Sequence, residues 1–166
     1  MSIYGYCRIS TAKQSIDRQI RNIKAEYPTA HIVQEAYTGT SIFRPEWLKL
    51  YRVLKAGDTV VFDSVSRMSR NAEEGFALYE DLYHKGIRLV FLKEHHIDTE
   101  TYKKALSGSI AMTGTNVDFI LKGINEYLMA LAKEQIKLAF EQSEKEVADL
   151  HQRTREGLLT ARLNGK

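Results

Sequence analysis

A serine hydroxyl and an arginine stand together at the end of the first apolar run of the sequence. Arg8 and Ser10 follow Ile3–Cys7 and lie two positions apart, so in an extended strand their side chains point to the same side. A hydroxyl beside a guanidinium can act as a nucleophile with a clamp for a phosphate group. Without further support, a serine between a strand and a helix is more simply explained as a helix N-cap.

Three more arginines follow the ends of other apolar runs. Arg67 and Arg70 come after Thr59–Phe62, and Arg44 lies in the loop after His31–Ala36. Arg67 and Arg70 are three apart, so on a first helical turn they would share a face. Four arginines around one hydroxyl repel one another unless an anion lies among them. The pattern therefore indicates a phosphate site, and a phosphodiester fits it.

The elements that must position these residues alternate between strands and helices. Apolar runs predict strands, and helical spacing predicts helices between them. The predicted strands are Ile3–Cys7, His31–Ala36, Thr59–Phe62 and Arg88–Leu92, and the helices are Ile16 to about Tyr27, Trp47–Leu54 and Ala72–Lys85. This alternation predicts an α/β fold with a mostly parallel sheet of about four to five strands flanked by helices. Ligands bind at the carboxyl ends of such strands, where the serine and the arginines stand.

The second part of the chain changes character. Lys93–Gly114 is a polar connector in which we expect a short helix at Thr101–Leu106. From Thr115 to about Leu163 there is no proline, and apolar residues recur at steps of three and four. One unbroken helix of this length would extend roughly 70 Å. We therefore divide the chain into an α/β domain, 1–114, and a helical segment, 115–166.

Such a helix is longer than a compact domain of this size. Part of its apolar face should be covered by something else, and a second copy of the chain is the simplest partner. The alternative is a helical hairpin that packs on itself. A hairpin requires a break, and Gly123 and Gly157 are the two glycines at which it could fall.

The net charge of +3 is concentrated at the end of the chain. The last sixteen residues carry four basic side chains against one acidic one, so they account for 4 − 1 = +3. The basic residues are Arg153, Arg155, Arg162 and Lys166, and the acidic one is Glu156. A basic helix end can contact a DNA backbone or can simply be a solvated face.

Other site classes find little support. The single cysteine, Cys7, excludes an internal disulfide framework and is predicted to be a buried strand residue. His95 and His96 are adjacent and are expected to be solvated loop residues, so we expect neither a metal nor a cofactor. No apolar run approaches the roughly 20 residues needed to cross a bilayer, and no signal peptide is evident, so we expect a cytoplasmic protein.

Taken together, the motifs resemble the resolvase/invertase, or serine recombinase, catalytic domain. The resemblance spans almost the whole chain. Its pieces are Gly5-Tyr6-Cys7-Arg8-Ile9-Ser10 with Gln14 and Gln19, Thr38-Gly39 to Arg44, Val65-Ser66-Arg67-Met68-Ser69-Arg70 and Arg153-Thr154-Arg155-Glu156-Gly157. The resemblance implies that Ser10 attacks a DNA phosphate, forms a 5′-phosphoserine link, releases a 3′ hydroxyl and rejoins DNA by the reverse reaction, without metal or ATP.

The resemblance also assigns roles to the other residues. Arg8, Arg44, Arg67 and Arg70 would be catalytic, and Gln14, Gln19, Tyr6 and Ser66 would support them. The long helix would form a homodimer, with a tetramer in the synaptic complex, and its basic end would run along double-stranded DNA. The family normally adds a separate DNA-reading domain after this helix, so we expect this chain to be part of a longer recombinase.

Two positions depart from the family pattern. Ser66 stands where many members have an aspartate, which puts a proton donor at that position in doubt. Val147, next to Glu146, stands where several relatives carry an arginine. These departures keep open a second reading, a domain that dimerises and binds DNA without cutting it. A third reading, a phosphate-binding hydrolase of small molecules, leaves the long helix unexplained.

Overall fold

The computed structural model describes residues 1–9, 16–36, 44–69, 71–107 and 111–165. Four strands form one parallel sheet in the order β2-β1-β3-β4. They are β1 (Ile3–Ile9), β2 (His31–Ala36), β3 (Thr59–Phe62) and β4 (Arg88–Phe91). The predicted α/β class and parallel sheet are confirmed.

Helices connect the strands and follow the sheet. They are α1 (Ile16–Glu26), α2 (Pro45–Val53), α3 (Val65–Met68), α4 (Ala72–His84), α5 (Thr99–Ser107) and α6 (Asp118–Leu163), with a 3₁₀ turn at His95–Ile97. The short helix expected near Thr101 is α5. α3 ends at Met68 and Ser69 is extended, whereas Arg70 lies outside the described residues, so its expected shared face with Arg67 stays a prediction.

Both faces of the sheet are covered, which explains why its strands are continuously apolar. One face carries the larger core, in which Tyr6, Phe62 and Phe91 pack beneath α2 and α4. The other carries a smaller core in which Cys7 packs with Ile23 of α1. Cys7 is fully buried, as predicted.

The long helix is unbroken. α6 has 46 residues and both Gly123 and Gly157 lie within it, so the hairpin alternative is wrong. Its length is roughly 70 Å at 1.5 Å per residue. Phe140 packs in the larger core so closely that a Cβ on Gly75 of α4 would lie 2.6 Å from its ring. Residues near the middle of α6, Ile136, Ala139 and Phe140, are therefore part of the larger core.

Candidate active site

The ends of β1 and β3 meet at the carboxyl edge of the sheet, where the strand order reverses direction. In open α/β sheets this switch point is the usual position of a ligand site. Arg8, near the end of β1, donates from Nη2 to the carbonyl oxygen of Ser66 at 2.5 Å. Arg67 donates from Nη1 to the carbonyl oxygen of Arg8 at 3.1 Å. The two arginines thus tie β1 and α3 together reciprocally.

Gln19 fixes the backbone of Arg8. Its Oε1 accepts from the Arg8 N–H at 3.1 Å, and its Nε2 donates to the Arg8 carbonyl at 2.9 Å. The Gln19 side chain is 3% exposed. The pairing of β1 with β3 stops at Tyr6, and Gln19 bonds the backbone of Arg8 just beyond that point. We expected Gln19 to orient the nucleophile or a phosphate, and its contacts in the structure are instead with the Arg8 backbone.

Arg44 reaches the same region from a third element. It is the N-cap residue of α2, and its Nη1 donates to the carbonyl oxygen of Met68 at the end of α3. Arg8, Arg44 and Arg67 are therefore brought together around α3, as their positions after strand ends predicted. Each guanidinium has five N–H donors, so a bond to one carbonyl does not by itself occupy it.

The buried pair Tyr6 and Glu35 lies beneath these arginines. The Tyr6 hydroxyl donates to Glu35 Oε2 at 3.3 Å. Burial is the main cause that raises the pKa of Tyr6 above its usual value; the Arg44 charge opposes it and Glu35 adds to it. Tyr6 therefore keeps its proton and acts as a hydrogen-bond donor that holds the glutamate.

Sequence reasoning missed Glu35. Its carboxylate accepts from the backbone N–H of Trp47 at 2.9 Å and of Glu46 at 3.4 Å, so it caps the first turn of α2. It also lies opposite Arg8 in the β1–β2 register. No local signal marked this role, because β2 also contains the polar residues His31 and Gln34.

A second glutamate was also missed. Glu94, which follows β4, accepts from the backbone N–H of Val65 at 3.1 Å and so caps α3. Burial raises the pKa of Glu94, and its bond to Val65 opposes that rise. Glu94 belongs to the polar connector Lys93–Gly114, and no spacing or neighbouring residue in the sequence separates it from the solvated residues around it.

Ser66 makes two contacts at this edge. Its carbonyl accepts from Arg8, and its hydroxyl lies 2.7 Å from the hydroxyl of Ser64. Where many family members have an acid, this chain thus has a hydroxyl paired with a second hydroxyl. Asp63 lies nearby but is bonded to Asn22 at 3.0 Å and to Lys93 at 3.3 Å.

Several predicted site residues lie outside the described residues. They are Ser10, Gln14, Arg70 and Lys166, together with the side chains of Glu146 and Val147. Ser10 directly follows the last residue of β1 in the sequence. Ser69 and Asn71, on either side of Arg70, bond to each other through the Ser69 hydroxyl.

The basic residues of α6 do not share one face. Arg153, Arg155 and Arg162 are all exposed. Arg155 and Arg162 are seven residues apart, which is close to two full turns. Arg153 is two residues from Arg155, or about 200° around the helix. A DNA backbone that contacts Arg155 and Arg162 would therefore lie on the side away from Arg153.

The 3₁₀ turn after β4 holds the two adjacent histidines, both of them exposed. His95 is not simply solvated, because its Nδ1 lies 2.7 Å from Asp98 and its Nε2 lies 3.7 Å from Glu26. The hydrogen bond to Asp98 is the main cause that raises the pKa of His95. Within the described ranges, no group of three or more histidine, cysteine or acidic residues is arranged to hold a metal ion.

A parallel α/β sheet with arginines gathered at its switch point, followed by a long helix, is an arrangement that can bind a phosphate group. A family model described as the resolvase N-terminal domain matches residues 3–135, and the chain belongs to this family. The resemblance predicted from the motifs is therefore confirmed. In the part of the chain that the structure covers, no helix is both long and apolar enough to span a membrane.

The chain is similar to several named proteins. The chain is 27% identical over 159 residues to the Tn21 resolvase of Escherichia coli, covering 92% of this chain and 83% of the relative. It is 28% identical over 166 residues to a resolvase of Clostridium perfringens, covering 99% and 74%. Among solved structures, it is similar to a resolvase family site-specific recombinase from Streptococcus pneumoniae, with a TM-score of 0.47, 20% identity and 97% of each chain covered.

Proposed function

We propose that this chain is the catalytic domain of a site-specific DNA recombinase that cuts and rejoins DNA through Ser10. Family membership supports DNA recombination and DNA binding in general. The single observation that carries the finer proposal is the convergence of Arg8, Arg44 and Arg67, from three elements, at the end of the strand that leads into Ser10.

The proposed reaction is a transfer of a phosphoryl group to the serine. The Ser10 oxygen attacks the phosphorus and loses its proton, the bond from phosphorus to the 3′ oxygen breaks, and the 3′ oxygen leaves with a proton. The product is a 5′-phosphoserine link, and attack by a 3′ hydroxyl reverses the step. One phosphoester replaces another, so ATP is not consumed.

The arginines supply what this chemistry requires. Phosphoryl transfer depends on positioning and on stabilising charge on the equatorial oxygens, and fixed guanidiniums do both without a metal. Their positive charge would also lower the pKa of the Ser10 hydroxyl and so favour its attacking form. Arg70 would complete the set by its place in the matched motif.

The helix α6 supports a homodimer. Five exposed apolar residues in the first half of the helix lie along one stripe, on a side distinct from the one that packs Ile136 and Phe140 in the core. The stripe consists of Ile120, Ile124, Tyr127, Leu131 and Leu138. A second copy that presents the same stripe would cover it. Two dimers would meet as a tetramer when two DNA sites are paired.

A charge in this stripe tests the dimer. Ile120→Glu should shift the protein from dimer to monomer in sedimentation velocity, because the interface would have to bury an unpaired carboxylate. Lys122→Glu, about 200° away on the same helix, introduces the same side chain outside the stripe and should leave the dimer intact. A dimer that survives Ile120→Glu would exclude this surface.

The basic end of α6 supports contact with double-stranded DNA. Arg155 and Arg162 would contact phosphates, and Lys166 follows them in sequence, so binding should be strongly salt-dependent. Because the substrate is cellular DNA, we propose that the protein acts in the cytoplasm.

One second candidate has an observation in its favour. A domain that dimerises and binds DNA without cutting it would not require an acid at position 66, and the Ser66 hydroxyl is paired with Ser64. The arginines around α3 argue for the enzyme, since a protein that only binds DNA has no need to gather guanidiniums at one edge.

One experiment separates the two candidates. The protein is incubated with supercoiled DNA from the region that flanks its gene, with EDTA and without ATP, and is then denatured. The enzyme should give a covalent protein–DNA adduct whose DNA is attached at Ser10 by mass spectrometry. Ser10→Ala should abolish the adduct, and Ser66→Ala, which removes another hydroxyl at the same edge, should not. DNA binding without any adduct would support the second candidate.

A further inference from the structure

The turn α3 has no N-terminal cap of its own. The N-cap residue Ser64 makes no capping hydrogen bond, and its hydroxyl bonds instead to that of Ser66. The Val65 N–H donates to Glu94 Oε2 at 3.1 Å, across 29 positions of sequence. A single helical turn is not stable by its backbone hydrogen bonds alone. The position of α3 therefore depends on Glu94 and other tertiary contacts.

The backbone that carries Glu94 is itself well anchored. The preceding residue, Lys93, donates its backbone N–H to the Asp63 carbonyl at 3.1 Å. Its Nζ lies 3.3 Å from the carboxylate of Asp63, whose side chain is 2% exposed. Asn22 of α1 donates to the same carboxylate at 3.0 Å. Glu94 thus extends from a fixed strand end, and its carboxylate is a fixed point for α3.

All three described arginines of the candidate site depend on α3. Arg67 is part of it, Arg8 donates to the carbonyl of Ser66, and Arg44 donates to the carbonyl of Met68. A shift or rotation of α3 would therefore move one guanidinium and change a hydrogen bond of each of the other two. The spacing of the arginines around a phosphate is set largely by this one turn.

We propose that Glu94 is a positioning residue for recombination: through the Val65 N–H it holds α3 where Arg8, Arg44 and Arg67 converge. It acts through the arginines and does not touch the DNA. This inference rests on the proposed function, and it goes beyond that function by assigning a role to a residue outside the matched motifs.

The other arginine-bearing helix is held in the same manner. The N-cap residue of α2, Arg44, makes no capping hydrogen bond through its side chain, and Glu35 of β2 accepts from the first turn of that helix. Carboxylates from β2 and from the segment after β4 therefore cap the two helices that begin at or carry Arg44 and Arg67. The repetition supports a positioning role rather than a chance contact.

Three substitutions of Glu94 separate its acceptor from its charge. Glu94→Gln keeps an oxygen acceptor and removes the charge. Glu94→Asp keeps the charge and withdraws it by one methylene, and Glu94→Ala removes both. Asp98→Ala is the matched control, because the Asp98 carboxylate also accepts from a backbone N–H next to the site, that of Phe91 at 2.7 Å, but does not contact α3.

Each variant is measured for thermal stability, DNA affinity, rate of adduct formation on saturating DNA and hydrogen exchange at the Val65 amide. We expect Glu94→Ala to slow adduct formation by about tenfold to a hundredfold, because small misplacements of catalytic groups have effects of this size. Its DNA affinity should stay within about twofold of wild type, since α3 is not the main binding surface. Exchange at Val65 should become faster, because the amide loses its acceptor.

The other variants complete the test. Glu94→Gln should restore the rate and the slow exchange, and Glu94→Asp should fall between the two, so the pair decides the question even if Glu94→Ala does not fold. Asp98→Ala should lose stability and keep its rate on saturating DNA at a temperature at which it is folded.

Two results would overturn the inference while leaving the proposed function in place. One is adduct formation at the wild-type rate in both Glu94→Ala and Glu94→Asp. The other is a loss of rate in Asp98→Ala equal to that in Glu94→Ala, which would show a general effect of stability. No adduct from the wild-type protein would overturn the proposed function, and this inference with it, while exchange at Val65 would still report whether Glu94 holds α3.

Discussion

Arginines occur in two regions of this molecule, and their surroundings differ. At the carboxyl edge of the sheet, Arg8, Arg44 and Arg67 are half-buried and bonded to backbone carbonyls of fixed elements. At the far end of α6, Arg155 and Arg162 are exposed. The first arrangement fixes where positive charge stands, which transition-state stabilisation requires. The second offers charge without fixed geometry, which suffices to bind a phosphate backbone.

The largest effect on adduct formation should come from a substitution at the carboxyl edge of the sheet. Arg67→Lys keeps the charge but loses the planar guanidinium that reaches the Arg8 carbonyl. Adduct formation on saturating DNA should fall by about a hundredfold or more, while DNA affinity changes little. Arg153→Lys is the matched control at an exposed position and should leave the rate unchanged. A rate within a fewfold of wild type for Arg67→Lys would remove Arg67 from the catalytic set.

Next in size is the loss of the residue that holds Arg8. Gln19→Leu leaves the part-buried Arg8 N–H without this acceptor, and an unsatisfied buried donor costs up to about 1–3 kcal/mol in the free energy of unfolding. Because Arg8 is also displaced, the adduct rate should fall by about tenfold. Chemical denaturation and single-turnover cleavage measure the two effects. Wild-type behaviour in both would show that Gln19 does not position Arg8.

A smaller effect is expected at the far end of α6, where substitutions should change DNA affinity and leave the rate of adduct formation unchanged. The double substitution of Arg155 and Arg162 by alanine should weaken DNA binding and reduce the slope of log K against log salt by about 2. The rate on saturating DNA should stay near wild type. Arg153→Ala, on the other side of the helix, should change the slope less than either single substitution of the pair. Equal slopes in all variants would exclude this face as the DNA contact.

The smallest effect concerns the pH dependence of stability at Glu94. Burial raises the pKa of the Glu94 carboxyl in the folded protein above its value in the unfolded chain. Protonation of Glu94 therefore stabilises the folded state relative to the unfolded state, and this stabilisation is lost as the pH rises through the folded pKa. Wild type should therefore gain stability relative to Glu94→Gln as the pH falls from 7 toward about 4.5. Denaturant unfolding of both proteins across this range measures the difference. A relative loss for wild type would show that the carboxylate is favoured in the fold.

Much of the fold followed from local pattern. The strands and α6 could be predicted because the spacing of apolar residues and the length of apolar runs are properties of neighbouring residues. The proximity of Arg8 and Arg67 could be predicted because the carboxyl ends of parallel strands lie at the same edge of a sheet. Glu35 and Glu94 were missed because each caps a helix distant in sequence, and a tertiary cap leaves no local spacing to recognise. The helical turn that carries Arg67 ends at Met68, and the Ser69 hydroxyl after it bonds to the backbone of Asn71, a local contact that competes with the helix.

The most direct test of the account is the chemical identity of the protein–DNA link. After denaturation of a reaction that contains EDTA and no ATP, peptide mass spectrometry should find the 5′ phosphate of the DNA on Ser10 in the wild-type protein and in Ser66→Ala. It should find no link in Ser10→Ala. A link on any other residue, or an adduct that persists in Ser10→Ala, would contradict the assignment of Ser10 as the nucleophile at this edge.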